Sequence, residues 1–95
     1  MIERVGDGYK VTGPVTLANV LEVLAAGERA FDGTTVRVDF SGVTDIDSSA
    51  LSLLLEWKRR LRGSGARIVY SNLGTGVSSL IDLYGVRELV NEPAG

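Results

Sequence analysis

Residues 36–62 read VRVDFSGVTDIDSSALSLLLEWKRRLR, and this stretch decides the fold. From Val36 to Phe40, apolar and polar side chains alternate with the period of two that is typical of a β-strand. After a turn at Ser41-Gly42 and a short acidic loop, Asp47-Ser48-Ser49 predicts an abrupt helix start. Carboxylate and hydroxyl side chains accept hydrogen bonds from the free N–H groups of a first helical turn. We therefore expect a central strand followed by a helix that runs to about Arg62.

The predicted helix carries more apolar surface than one buried face requires. Its apolar residues are Ala50, Leu51, Leu53, Leu54, Leu55, Trp57 and Leu61. At 100° per residue these positions cover about 200° of the helix surface, whereas a helix with one buried face shows a stripe of about 100°. We expect the excess, at the Leu51/Leu55 edge or the Leu53/Trp57 edge, to contact a partner.

The composition limits the possible functions. Ninety-five residues with 44% hydrophobic side chains predict one globular domain over residues 1–95. The net charge of −2 gives no support to nucleic-acid binding. The chain has no cysteine and no histidine, which removes thiolate chemistry, the commonest general base and the commonest metal ligand. No apolar run approaches the roughly 20 residues of a membrane span, so the expected location is the cytoplasm.

The remaining segments predict a small α/β fold. Ile2 to Val5 and Tyr9 to Thr12 form a hairpin around Gly6-Asp7-Gly8. Thr16 is the predicted N-cap of a first helix, in which Leu17, Val20, Leu21 and Leu24 follow at helical spacing and pack on the core. Further along the chain we expect a strand at 66–71, a helix around 77–84, and a short strand or single turn at 86–90. Strands separated by helices imply parallel crossovers, so the prediction is a mixed sheet of four or five strands with its helices packed largely on one face.

Two kinds of chemistry are open to the polar residues near the second helix. Asp39, Asp45 and Asp47 lie near the end of the central strand and could hold a divalent cation or a small ligand, but loop shaping by Asp45 and helix capping by Asp47 are the favoured explanation. The chain has no histidine to activate Ser48 or Ser49, so we do not expect a serine hydrolase. No cofactor is expected either. A phosphate on Ser48 would suit the helix N-terminus, and it would add nearly two negative charges to a docking surface.

The sequence resembles the STAS domain family, the fold of anti-sigma-factor antagonists (SpoIIAA-like). The resemblance rests on VRVDFSGVTDIDSSALSLLL, on Thr12-Gly13 and on the closing LIDLYGVRELV, and it extends over almost the whole chain. It implies a non-enzymatic interaction domain in which Ser48 is the phosphorylation or docking residue. The run from Gly13 to Leu17 holds no acidic residue, and Ala50 stands where the antagonists carry glycine.

Within that family, the segments 51–57 and 72–86 are similar to the STAS subunit of the bacterial Mla phospholipid-transport ABC complex (MlaB-like). This resemblance implies a small bacterial protein that binds the ATPase subunit of an ABC transporter. The predicted contact residues are Asp47, Ser48, Ser49, Leu51, Ser52, Leu55, Glu56 and Arg59. The alternative is an anti-sigma-factor antagonist that an anti-sigma factor or kinase switches by phosphorylating Ser48.

Overall fold

The computed structural model describes residues 1–90. They form four strands, β1 (Ile2–Val5), β2 (Gly8–Val15), β3 (Thr35–Ile46) and β4 (Arg67–Ser71), and four helices, α1 (Val20–Ala30), α2 (Ser49–Gly63), α3 (Gly74–Tyr84) and α4 (Arg87–Val90). The predicted α/β class and the mixed sheet are confirmed, and the sheet has four strands. The segment at 86–90 ends in the single helical turn α4 and adds no strand.

The sheet has the order β1-β2-β3-β4. β1 pairs antiparallel with β2, whereas β2, β3 and β4 are parallel neighbours. On β3 the side chains of Val36, Val38 and Phe40 are buried, while Arg37 between them is exposed. Only one face of the sheet is therefore covered by helices, and the opposite face lies open to solvent.

Strand β3 is longer than the sequence pattern predicts. Residues 41–46, expected as a turn and a loop, continue the pairing with β2. The β2–β3 pairing contains two register shifts. Asp39 supports the first shift, because its carboxylate accepts a hydrogen bond of 2.8 Å from the backbone N–H of Ser41. Gly42 fits there because a Cβ would lie 3.0 Å from the backbone oxygen of Val11. The period-two alternation is lost at such bulges, which explains why the sequence pattern ends at Phe40.

Helix α2 packs against α1 through Trp57, which is fully buried. The indole N–H donates to the backbone oxygen of Leu24 at 3.1 Å, and the ring lies so close to Gly27 that a Cβ there would be 2.5 Å from it. Phe31 and Phe40 contact the same indole edge to face, with ring centroids 5.0 and 6.5 Å away. Trp57 is thus a core residue that joins two helices to the sheet.

The expectation of a surplus apolar ridge on α2 is wrong in its main part. Leu51, Leu53 and Trp57 are at most 6% exposed, and only Leu55 is half-buried. The physical reason is that α2 lies between α1 on one side and α3 with α4 on the other, and also rests on β4. A helix covered from several directions buries a wider arc than a helix at the edge of a layer.

The C-terminal turn α4 is held on α2 by a buried lysine. Lys58 is only 7% exposed, and its ammonium group donates a hydrogen bond of 2.9 Å to the backbone oxygen of Val90. Val90 itself is 2% exposed and joins the core. No helix within residues 1–90 has the length and apolar character needed to cross a membrane.

Candidate functional site

The N-terminus of α2 is organised by Asp47. Its Oδ1 accepts hydrogen bonds from the backbone N–H and the hydroxyl of Ser49, and its Oδ2 accepts one from the backbone N–H of Leu17 at 2.8 Å. The Ser49 hydroxyl, the Leu17 N–H and the Ser49 N–H, in that order, lower the pKa of the Asp47 carboxyl. Asp47 therefore stays ionised, caps α2 and ties it to the segment that leads into α1.

The side chain of Ser48, unlike that of Asp47, does not cap the helix. It occupies the N-cap position, yet its side chain makes no capping hydrogen bond. It is exposed, and its hydroxyl has no partner within residues 1–90. Since Asp47 performs the capping, the Ser48 hydroxyl is available to a binding protein or a modifying enzyme.

The predicted contact residues on α2 share one stripe. Ser48, Ser52, Leu55 and Arg59 are spaced by four, three and four residues, which places them on one side of a helix. Ser48, Ser52 and Arg59 are exposed and Leu55 is half-buried. Leu51 is the exception, because at 6% exposure it belongs to the core and cannot provide a contact surface.

Glu56 lies beside this stripe and is already paired. Its carboxylate accepts hydrogen bonds from Arg59 and from Arg60 Nε, the latter at 2.6 Å. The Arg59 hydrogen bonds lower the pKa of Glu56, and the same contact raises the pKa of Arg59. Arg60 also pairs with Glu28 of α1. The rim of the stripe is therefore a charge network in which each acid has a basic neighbour.

Two exposed leucines lie next to this stripe, although the sequence pattern predicted them in the core. Leu17 is 78% exposed and Leu21 is 76% exposed. Thr16 is not the N-cap of α1, which begins at Val20 after Asn19, so Leu17 lies in the preceding turn and not on a packed helix face. Helical spacing alone assigned both leucines to the core, and no local signal in the sequence separates them from Val20 and Leu24.

Leu17 and Leu21 adjoin the α2 stripe. The hydrogen bond from Leu17 to Asp47 places Leu17 beside Ser48. Leu21 and Glu28 are seven residues apart on α1 and so share one side of that helix, and Glu28 pairs with Arg60 of α2. We name this surface the α1–α2 face, and it consists of Leu17, Leu21, Ser48, Ser52, Leu55, Glu56 and Arg59.

The three aspartates considered as a ligand site are not assembled into one. Asp39 accepts hydrogen bonds from Ser41 and from the Asn72 amide at 3.1 Å, whereas Asp47 binds Leu17 and Ser49. The Ser41 N–H first, and Asn72 second, lower the pKa of Asp39. In the described part of the chain, no group of three acidic side chains is placed to hold a metal ion.

Comparison with protein families identifies one match. The family model described as "Mlab, STAS domain" matches residues 4–91, which is nearly the whole chain. Comparison with the curated proteins finds no match.

Several solved structures share the fold, and two proteins serve as examples. The anti-sigma factor antagonist SpoIIAA in its unphosphorylated form is 22% identical, with a TM-score of 0.69 over 90% of this chain and 79% of that one. A crystal structure of a protein called Mglu is 27% identical, with a TM-score of 0.60 over 79% of this chain. The match covers only 20% of the Mglu chain, so the likeness concerns one part of a longer protein.

Proposed function

This chain belongs to the STAS domain family, and on that basis we propose that it is a non-enzymatic interaction subunit in the cytoplasm. Its partner is the ATPase subunit of a phospholipid-transport ABC complex, which the α1–α2 face binds. The family description and the resemblance of segments 51–57 and 72–86 to the MlaB-like subunits both support this choice. STAS domains act through protein–protein contacts, which agrees with a regulatory role.

One observation carries the proposal. The N-terminus of α2 presents the exposed hydroxyl of Ser48 without an internal partner, while Asp47 beside it does the capping. A hydroxyl that contributes nothing to the fold is free to form hydrogen bonds with another protein. The adjoining leucines add apolar area to the contact. Burying one exposed leucine side chain contributes about 1.5–3 kcal/mol to the free energy of association.

The contact is divided between three kinds of side chain. Leu17, Leu21 and Leu55 provide the apolar centre, in place of the buried Leu51. Ser48 and Ser52 provide hydrogen bonds at the tip, with Asp47 and Ser49 fixing the helix start behind them. Glu56 and Arg59 form a charged rim, where pairs that stay solvated contribute little to affinity but favour a partner of matching charge.

The test is complex formation with the purified ATPase subunit of an Mla-type transporter. Ser48→Glu places a bulky charge at the tip of the face, and we expect it to abolish binding while the domain stays folded. Ser79→Glu is the matched control, since Ser79 is an exposed serine on α3, away from the α1–α2 face. Unchanged binding by a folded Ser48→Glu variant would contradict the proposal.

The second candidate is an anti-sigma-factor antagonist switched by phosphorylation. The same exposed Ser48 favours it, and so does the structural likeness to SpoIIAA. A phosphate there would sit at the positive end of α2 and repel an acidic partner surface. Mass spectrometry of the protein from its native cell decides between the two. Stoichiometric phosphorylation of Ser48 under some growth condition supports the antagonist, and its absence under all conditions supports the transporter subunit.

A further inference from the structure

Two exposed arginines lie on the helix-free face of the sheet. Arg37 on β3 and Arg67 on β4 are both exposed, and neither side chain forms an ion pair or hydrogen bond within residues 1–90. Val69 lies opposite Arg37, and Arg67 lies two residues earlier on the same strand. With strands about 4.8 Å apart and a rise of about 3.3 Å per residue, the two arginine Cα atoms are about 8 Å apart.

Apolar side chains flank this pair. Val69 is 38% exposed and Val5 on β1 is 54% exposed. Val5 lies opposite Gly8, whose missing side chain leaves a small depression, and Arg37 lines it together with Asp7, Lys10 and Asp39. The face thus combines two arginines without an ion-pair partner in the described chain with two exposed valines, in a protein whose net charge is −2.

Lys10 on the same face differs from the two arginines, because it has acidic neighbours on both sides. Lys10 lies between Glu3 of β1 and Asp39 of β3 in the strand register, so its charge is offset on both sides. Arg37 and Arg67 have no such neighbours in the register. Charge complementarity therefore directs carboxylates to the arginine end of this face.

We propose that this face docks an acidic amphipathic helix of a protein partner. Its carboxylates would pair with Arg37 and Arg67, and its apolar side chains would cover Val5 and Val69. Carboxylates on successive turns of a helix are about 6 Å apart, which two extended arginine side chains can match. An open sheet face is also a surface on which helices pack, as α1, α2 and α3 do on the other side.

Two other partner classes fit this face less well. A nucleic-acid strand would find no aromatic side chain on which to stack its bases. An anionic membrane would gain about 1 kcal/mol per basic residue, and Glu3 and Asp39 on the same face offset part of that. This docking face lies across the sheet from α2, so it goes beyond the proposed function and does not depend on it.

The test uses the whole chain and a labelled peptide of about 18 residues, long enough to form a helix. The peptide carries glutamates four residues apart along one edge, with leucines beside them, and a matched peptide carries glutamine at those positions. Binding is followed by fluorescence anisotropy. We expect the glutamate peptide to bind, the glutamine peptide to bind about tenfold more weakly, and added salt to weaken the glutamate complex.

Variants locate the contact. Arg67→Glu and Arg37→Glu should each weaken peptide binding by about tenfold, whereas Arg29→Glu, the same change at an exposed site on α1, should alter it by less than about twofold. All three positions are exposed, so the melting temperatures should stay close to that of the unchanged protein. Equal binding of the two peptides, or equal effects of the three substitutions, would overturn the proposal. Arginine-dependent binding of phosphatidylglycerol vesicles or of a single-stranded oligonucleotide, with no binding of the glutamate peptide, would also overturn it.

Discussion

The backbone N–H of Leu17 donates a hydrogen bond of 2.8 Å to Oδ2 of Asp47, across 30 residues of sequence. This bond fixes the turn before α1 against the start of α2, and it sets an exposed leucine beside the free hydroxyl of Ser48. The docking surface that we propose therefore depends on one carboxylate whose two oxygens both accept hydrogen bonds within the domain.

Replacing Asp47 should destabilise the fold and disturb the site together. Asp47→Ala removes the cap of α2 and the acceptor for Leu17, so we expect a lower melting temperature and weaker binding of the ATPase subunit. Asp45→Ala is the control, because the Asp45 side chain is exposed and forms no hydrogen bond in the described chain. Circular dichroism melts of the two variants compare them, and equal melting temperatures would contradict this role of Asp47.

Stability should depend on pH through Asp39 and Asp47. Both carboxyls have folded-state pKa values below their ordinary value of 3.8, so each stabilises the folded state when ionised. Their contribution is complete above the ordinary pKa and disappears as the pH falls through the lowered, folded-state pKa. We expect the melting temperature to change little between about pH 7 and pH 5 and to fall below about pH 4. The double variant Asp39→Asn/Asp47→Asn should show a shallower fall, and a fall as steep as in the unchanged protein would argue against these two groups.

Leucine-to-alanine substitutions should separate the core from the α1–α2 face. Leu51→Ala leaves a cavity in the core, and we expect a loss of about 2–5 kcal/mol in the free energy of unfolding. Leu21→Ala removes an exposed side chain, so the change should be within about 0.5 kcal/mol, while binding of the ATPase subunit weakens. Urea denaturation measures the first effect and a binding titration the second. A large loss of stability at Leu21 would show that this side chain is buried in solution.

Gly27 should be far less tolerant than Gly63. Gly27→Ala places a Cβ 2.5 Å from the Trp57 ring, and such overpacking costs about 1–3 kcal/mol in the free energy of unfolding. Gly63 at the end of α2 has no atom within 4 Å of the added Cβ, so Gly63→Ala should be neutral or slightly stabilising. Denaturant titrations with the Trp57 fluorescence as probe report both changes. The contact between the two helices would need revision if Gly27→Ala were as stable as Gly63→Ala.

The adjacent serines should differ in their effects on stability. Ser48→Ala removes a hydroxyl without a partner, so the free energy of unfolding should change by less than about 0.5 kcal/mol. Ser49→Ala removes a donor to Asp47 and should be the more destabilising of the two. For binding of the ATPase subunit the order should reverse, with Ser48→Ala the more harmful. Parallel melting and binding measurements test both orders, and a Ser48→Ala variant that loses stability would remove the basis for a purely functional serine.

The main features of the fold could be predicted from local patterns. The alternation from Val36 to Phe40 and the run Asp47-Ser48-Ser49 predicted β3 and the start of α2, because strand and helix periods and capping are properties of neighbouring residues. The second half of β3 could not be predicted in this way. Its register shifts depend on Asp39 and Gly42 fitting against β2, and the alternating pattern does not pass through a bulge.

Exposure was decided by the tertiary structure alone. Leu51 and Leu21 stand at similar helical positions in the sequence, yet α2 is enclosed by neighbouring helices and the Leu21 side of α1 is not. Likewise, the strand pairing alone brought Arg37 and Arg67 together on an open sheet face. By itself the sequence determined the STAS-like fold and most of its helices and strands, apart from the second half of β3 and the start of α1, since those features depend on local periodicity and short motifs. Which leucines, serines and arginines are free to meet a partner depended on how the elements cover one another, and that is a long-range property of packing.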